Sequence, residues 1–151
     1  MEPACRDGTH LTLSRLVYWW TAPARGDLVA IRAPDSSKRL ELKRIIGLPN
    51  ETVSYGNGTF QINGVPLDEP YARMPVPVPG DEERQVVRLG AEDYFVAGDH
   101  RLYSRDSRQY GPVRRSAILG KVLLDSPPGK SVGVTRATSR VVTLKTTPNT
   151  R

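Results

Sequence analysis

The segment Thr52-Val53-Ser54-Tyr55-Gly56-Asn57-Gly58-Thr59-Phe60-Gln61-Ile62 carries the clearest structural signal in this chain of 151 residues. Two short runs with β-branched and aromatic residues flank its central glycines, and residues of these types favour strands. An Asn-Gly pair supplies the positive φ angles that a tight hairpin connection needs. The segment therefore predicts an antiparallel hairpin. Asn63-Gly64 follows directly and predicts that the chain turns again.

Short strand patterns separated by turn residues continue on both sides of this hairpin. Apolar residues alternate from Thr9 to Tyr18, and Pro23 ends that run, so a strand is expected there. Further strands are predicted at 28–31, 40–48, 94–97 and 118–124. Frequent turns with little 3.6-residue periodicity favour an all-β, barrel-like domain of antiparallel strands.

Two segments differ in composition from the predicted strands. Residues 72–88 contain Pro75, Pro77 and Pro79 followed by acidic residues, which predicts an exposed loop. After Asp125 the chain becomes rich in Ser, Thr and Arg, with no acidic residue to the end. We therefore expect one folded domain over residues 1–125 and a basic, poorly ordered tail over 126–151.

The charge and the ligand-type residues narrow the classes of function. The net charge is +6, but the basic residues are scattered and are not interleaved with aromatic ones. Such a surplus fits solubility or attraction to an anionic membrane surface, and nucleic-acid binding is not expected. A single cysteine, Cys5, excludes an internal disulfide, and His10 and His100 lie too far apart in sequence to suggest a ligand pair. We therefore expect no metal site.

The sequence as given contains no obvious membrane span or export signal. No run approaches the roughly 18 consecutive apolar residues that a spanning helix requires, and no small-residue cleavage site follows a charged, apolar start. The chain as given is therefore expected to be soluble. Tyr18-Trp19-Trp20 supports two interpretations: these aromatics rest on lipid headgroups, or they belong partly to the core at a strand end.

Three blocks stand in a fixed order along the chain. They are Met1-Glu2-Pro3, then Lys43-Arg44-Ile45-Ile46-Gly47-Leu48-Pro49, then Gly98-Asp99-His100-Arg101-Leu102-Tyr103-Ser104-Arg105-Asp106-Ser107-Arg108. They resemble the Ser-Met-x-Pro, Lys-Arg-x-x-Gly-x-Pro and Gly-Asp-Asn-Arg-x-x-Ser-x-Asp-Ser-Arg boxes of the type I signal peptidase family, also called S26. The third block departs from that pattern only at His100, where the family has Asn. The resemblance extends over residues 1–124.

This resemblance implies an all-β endopeptidase that uses a Ser/Lys dyad, without a cofactor, to remove signal peptides from exported preproteins. It also implies roles for six residues. These are Lys43 as general base, Ser104 as the residue that orients it, Asp106 and Arg108 as a supporting ion pair, and Asp99 with Arg101 as residues that hold the loop near the site.

In such a dyad, Lys43 must be able to lose its proton near neutral pH. A serine hydroxyl is a weak nucleophile and needs a base within hydrogen-bond reach. A lysine with its ordinary pKa of about 10.4 can be that base only where its surroundings favour the neutral amine, and burial does so. Leu42 and Ile45 lie near Lys43 on a predicted strand. We therefore expect Lys43 to be buried and Arg44 to point to the opposite face of the sheet.

The family nucleophile stands directly before the methionine that Met1 matches. The sequence as given lacks that serine, so we expect the polypeptide as written not to hydrolyse peptide bonds. A start codon assigned at the motif methionine and a true loss would both produce this sequence. The resemblance implies that a full-length parent sits in the plasma membrane with this domain on the extracytoplasmic side.

Two other interpretations remain open at this point. One is an inactive relative that binds peptides or membranes but cleaves nothing. The other is the related Ser/Lys self-cleavage domain of SOS-type repressors. That domain would accompany a DNA-binding domain, and it lacks the Asp106-Ser107-Arg108 sequence found here.

Overall fold

In the computed structural model of this chain, the described residues are 11–34, 39–72 and 83–124. Several sequence predictions lie outside these ranges. They concern Cys5, His10, the block at Met1, the prolines from Pro75 to Pro79, and the tail over 126–151.

Within the described ranges the chain is built mainly from short strands. The strands are β1 (Leu11–Ser14), β2 (Leu28–Arg32), β3 (Leu40–Gly47), β4 (Thr52–Gly56), β5 (Thr59–Ile62), β6 (Val65–Pro66), β7 (Gln85–Arg88), β8 (Asp93–Ala97), β9 (Val113–Arg114) and β10 (Ile118–Leu124). The helices are single turns, α1 (Val17–Trp20) and α2 (Ser107–Tyr110), with a 3-10 turn at Arg115–Ala117. None of these helices is long and apolar enough to cross a bilayer.

The strands form two antiparallel sheets. The first has the order β1-β10-β2-β3-β8-β9, and the second has the order β6-β5-β4-β7. The predicted all-β architecture of antiparallel strands is confirmed. The strands predicted at 28–31, 40–48, 94–97 and 118–124 correspond to β2, β3, β8 and β10.

The hairpin predicted from the central segment is present with the expected turn chemistry. Gly56 pairs with Thr59, so Asn57 and Gly58 alone form the turn, with φ angles of 51° and 72°. The second predicted turn repeats this geometry, since Asn63 and its following glycine also have positive φ angles. Positive φ at both central positions is the type I′ pattern that Asn-Gly favours.

Two predictions of local structure are wrong. The run predicted as a strand to Tyr18 ends at Ser14, and Val17–Trp20 forms a helical turn instead. Tyr18 is buried there and donates its hydroxyl to Asp27 at 2.9 Å, a tertiary contact that alternation along the chain does not reveal. The loop predicted over 72–88 contains β7, because its backbone pairs with the free side of β4.

Strand β3 lies at the centre of the first sheet and carries a bulge. Ile45 lies opposite Val96 and Gly47 opposite Phe95, so Ile46 is an extra residue in the ladder. Ile45 and Ile46 are both fully buried, but they belong to separate hydrophobic clusters. The sheet is thus covered by core on both faces where β3 meets β8, which brings polar side chains of β3 into a mostly buried setting.

Candidate active site

Lys43 projects from the middle of β3 into a mostly buried position. Its backbone lies opposite Val29 of β2, and the residue is only 8% exposed. The Nζ atom donates a hydrogen bond to Ser104 Oγ at 3.3 Å and lies 3.5 Å from Glu41 Oε2. The structure thus brings together Lys43 and Ser104, which are 61 positions apart in the sequence.

Ser104 reaches Lys43 because Gly98 leaves room for it. Gly98 follows β8, and a Cβ atom built on it would overlap both Oγ and Cβ of Ser104. The Gly98 amide also donates to Asp106 Oδ2 at 3.0 Å. Glycine at this position therefore lets the loop fold back until the serine hydroxyl lies against the strand that carries the lysine.

We expect Gly98→Ala to destabilise the fold by about 1–3 kcal/mol, the usual cost of adding a methyl group to a filled site. The double variant Gly98→Ala/Ser104→Gly should recover most of this loss, because the side chain that the new methyl group overlaps is gone. Urea unfolding of the parent, both single variants and the double variant measures this coupling. If the two effects simply add, the close packing of Gly98 against Ser104 does not limit this position.

Asp106 connects Ser104 to the rest of the loop. Its side chain is fully buried, accepts a hydrogen bond from the Ser104 hydroxyl, and caps α2 by accepting from the Arg108 amide at 3.2 Å. The Gln109 side chain accepts from the Asp106 amide in return, which completes a capping box. Because the Ser104 hydroxyl donates its hydrogen bond to Asp106, the hydroxyl oxygen presents lone pairs to the Lys43 amine.

Asp106 and Arg108 form a buried ion pair. Arg108 Nε donates to Asp106 Oδ1 at 2.9 Å. The side chain of Arg108 is 5% exposed and that of Asp106 is 0% exposed. Burial alone raises the pKa of Asp106, but the hydrogen bonds and charge of Arg108, together with the Gly98 amide and Ser104, lower it further than burial raises it. The net result is a pKa below the ordinary value, so Asp106 is a carboxylate at neutral pH.

Asp99 and Arg101 each pair with a residue outside their own loop. Asp99 is fully buried and accepts two hydrogen bonds from Arg44, at 2.8 and 2.6 Å. Arg101 donates two hydrogen bonds to Glu69, at 3.0 and 2.6 Å, and one from Nε to the Gly98 carbonyl at 3.0 Å. The loop is therefore attached at two points, to β3 and to the segment after β6.

Tyr71 links these two attachments. Its ring packs on the Arg44 guanidinium, with 4.1 Å between CZ and the ring centroid, and its hydroxyl donates to Glu69 at 3.1 Å. Sequence analysis did not identify Arg44, Glu69 or Tyr71 as partners of the loop. For Arg44 a signal existed, since it must point away from Lys43 on an alternating strand. For Glu69 and Tyr71, nothing in the neighbouring sequence predicts a contact with Arg101 or Arg44.

Glu41 is a further residue that sequence analysis missed. It lies two positions before Lys43, on the same side of β3 by strand alternation. Its Oε2 atom is buried and has no hydrogen-bond partner among the described residues, although the Lys43 amine lies 3.5 Å away. The predicted apolar surroundings of Lys43 therefore include a carboxylate.

The remaining predicted position, His100, lies apart from these contacts. Its ring packs edge-on against Tyr103, with the centroids 4.7 Å apart. In the part of the chain that the structure describes, no three His, Cys, Asp or Glu side chains are grouped as metal ligands would be.

The arrangement of Lys43, Ser104 and Asp106 suits the Lys43 amine to accept a proton. A neutral amine at Lys43 that donates one N–H to Ser104 Oγ has its lone pair directed elsewhere and can accept a proton from a nearby hydroxyl. Ser104 is itself held by Asp106, and Asp106 by Arg108. The site is thus a buried amine in a fixed orientation at the centre of a sheet.

Comparison with known proteins yields consistent matches. The family model for signal peptidase, peptidase S26, matches residues 1–125. Signal peptidase I V of Bacillus subtilis (strain 168) is 32% identical over 132 residues, which are 81% of this chain and 77% of that protein. Signal peptidase I of Bacillus amyloliquefaciens is 38% identical over 129 residues, covering 80% of this chain and 65% of that protein. The crystal structure of a signal peptidase I from Enterococcus faecalis V583 matches with a TM-score of 0.56 and 31% identity, over 67% of this chain and 97% of that one.

Proposed function

Because this chain belongs to the signal peptidase family, peptidase S26, we propose that it is the catalytic domain of a Ser/Lys endopeptidase that removes signal peptides from exported preproteins. The observation that carries this proposal is the contact between Lys43 Nζ and Ser104 Oγ, at 3.3 Å on a mostly buried strand. A lysine in that setting is positioned to act as a base, and an exposed strand lysine would not be.

The proposed mechanism divides the work among few residues. Lys43 takes the proton of the nucleophilic hydroxyl as that oxygen attacks the scissile carbonyl, and it gives that proton to the leaving amine as the C–N bond breaks. The neutral amine then takes a proton from the water that attacks the acyl-enzyme and returns it to the serine oxygen as the ester bond breaks. Ser104 orients the amine. Asp106, Arg108, Asp99 and Arg101 act only through the loop that holds Ser104. No step calls for a metal or a cofactor.

The nucleophile itself is assigned from the family. In that pattern it stands directly before the residue that Met1 matches, and the family pattern pairs a serine at that point with Lys43. The chain as given supplies the base and its supporting loop, and a chain with a serine before Met1 supplies both halves of the dyad. The substrate would be an extended peptide that ends in small residues, such as Ala-x-Ala.

The test is cleavage of an Ala-x-Ala peptide by the chain extended with one serine before Met1, and with the native upstream sequence where it is known. We expect cleavage by the extended chain and none by the chain as given or by a chain extended with alanine. Binding of the peptide without cleavage in every case would instead identify a non-catalytic relative of the same fold.

We further propose that Trp19 and Trp20 contact the membrane at which such substrates arrive. Both belong to α1, where they are 75% and 87% exposed, while Tyr18 beside them packs in the core. Adjacent exposed indoles anchored by a buried neighbour suit the headgroup region of a bilayer, where apolar rings with one polar edge are favoured. The domain would then work at the outer face of the plasma membrane.

Replacing Trp19 and Trp20 together with serine is expected to weaken partitioning onto anionic phospholipid vesicles at least about tenfold. Burying one large apolar side chain is worth about 1.5–3 kcal/mol, which is already about tenfold or more in a partition constant. The loss of two such side chains should therefore exceed a tenfold change. The control is Val65→Ser, which removes a side chain that is 66% exposed on β6 of the other sheet. Equal vesicle binding by the double variant and the parent would remove this surface from the proposal.

A further inference from the structure

Glu41 has no part in the mechanism above, yet it is the charged group that approaches the Lys43 amine. Its carboxylate side chain is 20% exposed, and its Oε2 atom lies 3.5 Å from Nζ. The lysine side chain is 10% exposed. Two opposite charges this close and this sheltered from water interact much more strongly than a surface pair would.

Glu41 also borders a small cleft, where its neighbours include one cation, Arg105. The residues that line this cleft with it are Ala33, Pro34, Arg105 and Tyr110. The Tyr110 hydroxyl is buried and, like Glu41 Oε2, has no hydrogen-bond partner within the described ranges. Burial first, and then the Glu41 and Asp106 carboxylates, raise the pKa of Tyr110 above its ordinary value, so Tyr110 remains a neutral phenol beside Glu41.

The other elements packed around the pair contribute one cation, Arg105, beside groups that are uncharged or already paired. Strand β2 places Val29 opposite Lys43 and Ile31 opposite Glu41. The loop after β8 brings the uncharged Ser104 to the amine, and it brings Arg105 to the cleft. The carboxylate of Asp106, farther along this loop, is already paired with Arg108.

We propose that Glu41 is a positioning residue that holds the Lys43 amine beside Ser104 in its protonated form and thereby sets the lower pH limit of catalysis. This inference rests on the proposed function, because only a lysine that acts as a base makes the proton relevant. While the proton stays on the amine, Glu41 and Ser104 are its partners. Once it leaves, Ser104 remains as the acceptor that orients the neutral amine.

The experiment measures the protonation of Lys43 directly, in the chain as given. Trace labelling with cyanate modifies only neutral amines, and mass spectrometry of the Lys43 peptide gives the extent of labelling against pH. Glu41→Gln keeps the shape of the side chain and removes its charge. An opposite charge at this distance shifts titration by about 1–3 pH units, so the labelling midpoint of Lys43 should lie at least about one pH unit lower in Glu41→Gln than in the parent.

Two controls make the result specific. Glu92→Gln removes the same charge from an exposed position directly before β8 and should leave the Lys43 midpoint unchanged. Lys121, which pairs with Asp27 at 2.6 Å, serves as an internal reference in every sample. Should Glu41→Gln not fold, Glu41→Asp tests the same point, since its withdrawn carboxylate should give a smaller fall. Equal midpoints in the parent and the Glu41 variant overturn the inference.

Cleavage then separates this inference from the proposed function. In the serine-extended chain, Glu41→Gln should move the acidic limb of the kcat/KM profile to lower pH by the same amount as the labelling midpoint. A shifted midpoint without any cleavage would support the contact between Glu41 and Lys43 and refute the peptidase assignment. A fixed midpoint with normal cleavage would do the reverse.

Discussion

Replacing Lys43 with alanine is expected to reduce cleavage by the serine-extended chain by at least about 10²–10⁴-fold in kcat/KM, the range that general bases contribute. The reason is geometric, since the Lys43 amine lies 3.3 Å from the Ser104 hydroxyl and is held there as the base. Neither Ser104 nor a bulk water molecule can take the proton of an attacking hydroxyl comparably well at neutral pH. A fluorogenic Ala-x-Ala peptide, assayed under single-turnover conditions, measures the chemical step.

Two further variants at this position separate chemistry from packing. Lys43→Met keeps an unbranched, apolar side chain in the buried site and should be as inactive as Lys43→Ala while unfolding closer to the parent. Lys43→Arg keeps the charge but is not a base at any ordinary pH, so it should not restore cleavage. Cleavage by any of these variants at the rate of the parent refutes the assigned mechanism.

The largest effect on stability is expected from Asp106→Asn. The substitution keeps the shape of the side chain and its ability to cap α2, since Asn is also a favoured cap. It leaves the guanidinium of Arg108, whose side chain is 5% exposed, without its counter-charge. Removing one partner of a buried pair typically costs about 3–5 kcal/mol, so urea unfolding should show a loss of this size. Asp68→Asn, the same change at an exposed position, should alter the free energy of unfolding by less than about 0.5 kcal/mol.

The stability difference between the parent and Asp106→Asn should depend on pH in one direction. The pKa of Asp106 is lower in the folded protein than in the unfolded chain. Its contribution is therefore fully present above the unfolded value of about 3.9 and is lost as the pH falls through the folded value. The difference should stay constant from neutral pH to about pH 5 and shrink below about pH 4. A difference that grows on acidification would contradict the assigned charge state.

The fold could be predicted where the residues of a short segment have a strong conformational preference of their own. The hairpin at Asn57-Gly58 and the turn at Asn63-Gly64 were predictable because positive φ angles at both turn positions are intrinsic to these residue types. Strands β2, β3 and β8 were predictable because each is a run of residues that favour a pleated, buried surface. The predictions for Val17–Trp20 and for Gln85–Arg88 were wrong, since a tertiary hydrogen bond and the open side of β4 determine those segments.

The residues of the candidate site could be predicted from the sequence, but their contacts could not. Three ordered motifs were enough to single out Lys43, Ser104 and the residues of the loop after β8, because the family that these motifs resemble assigns a role to each of those positions. The contacts of these residues with other side chains could not be predicted from the sequence. Glu41 beside the amine, and Glu69 as the partner of Arg101, depend on distances between strands. Local sequence encodes backbone preference and residue chemistry, whereas the pairing of buried charges is settled only when packed sheets bring distant side chains within a few ångströms of each other.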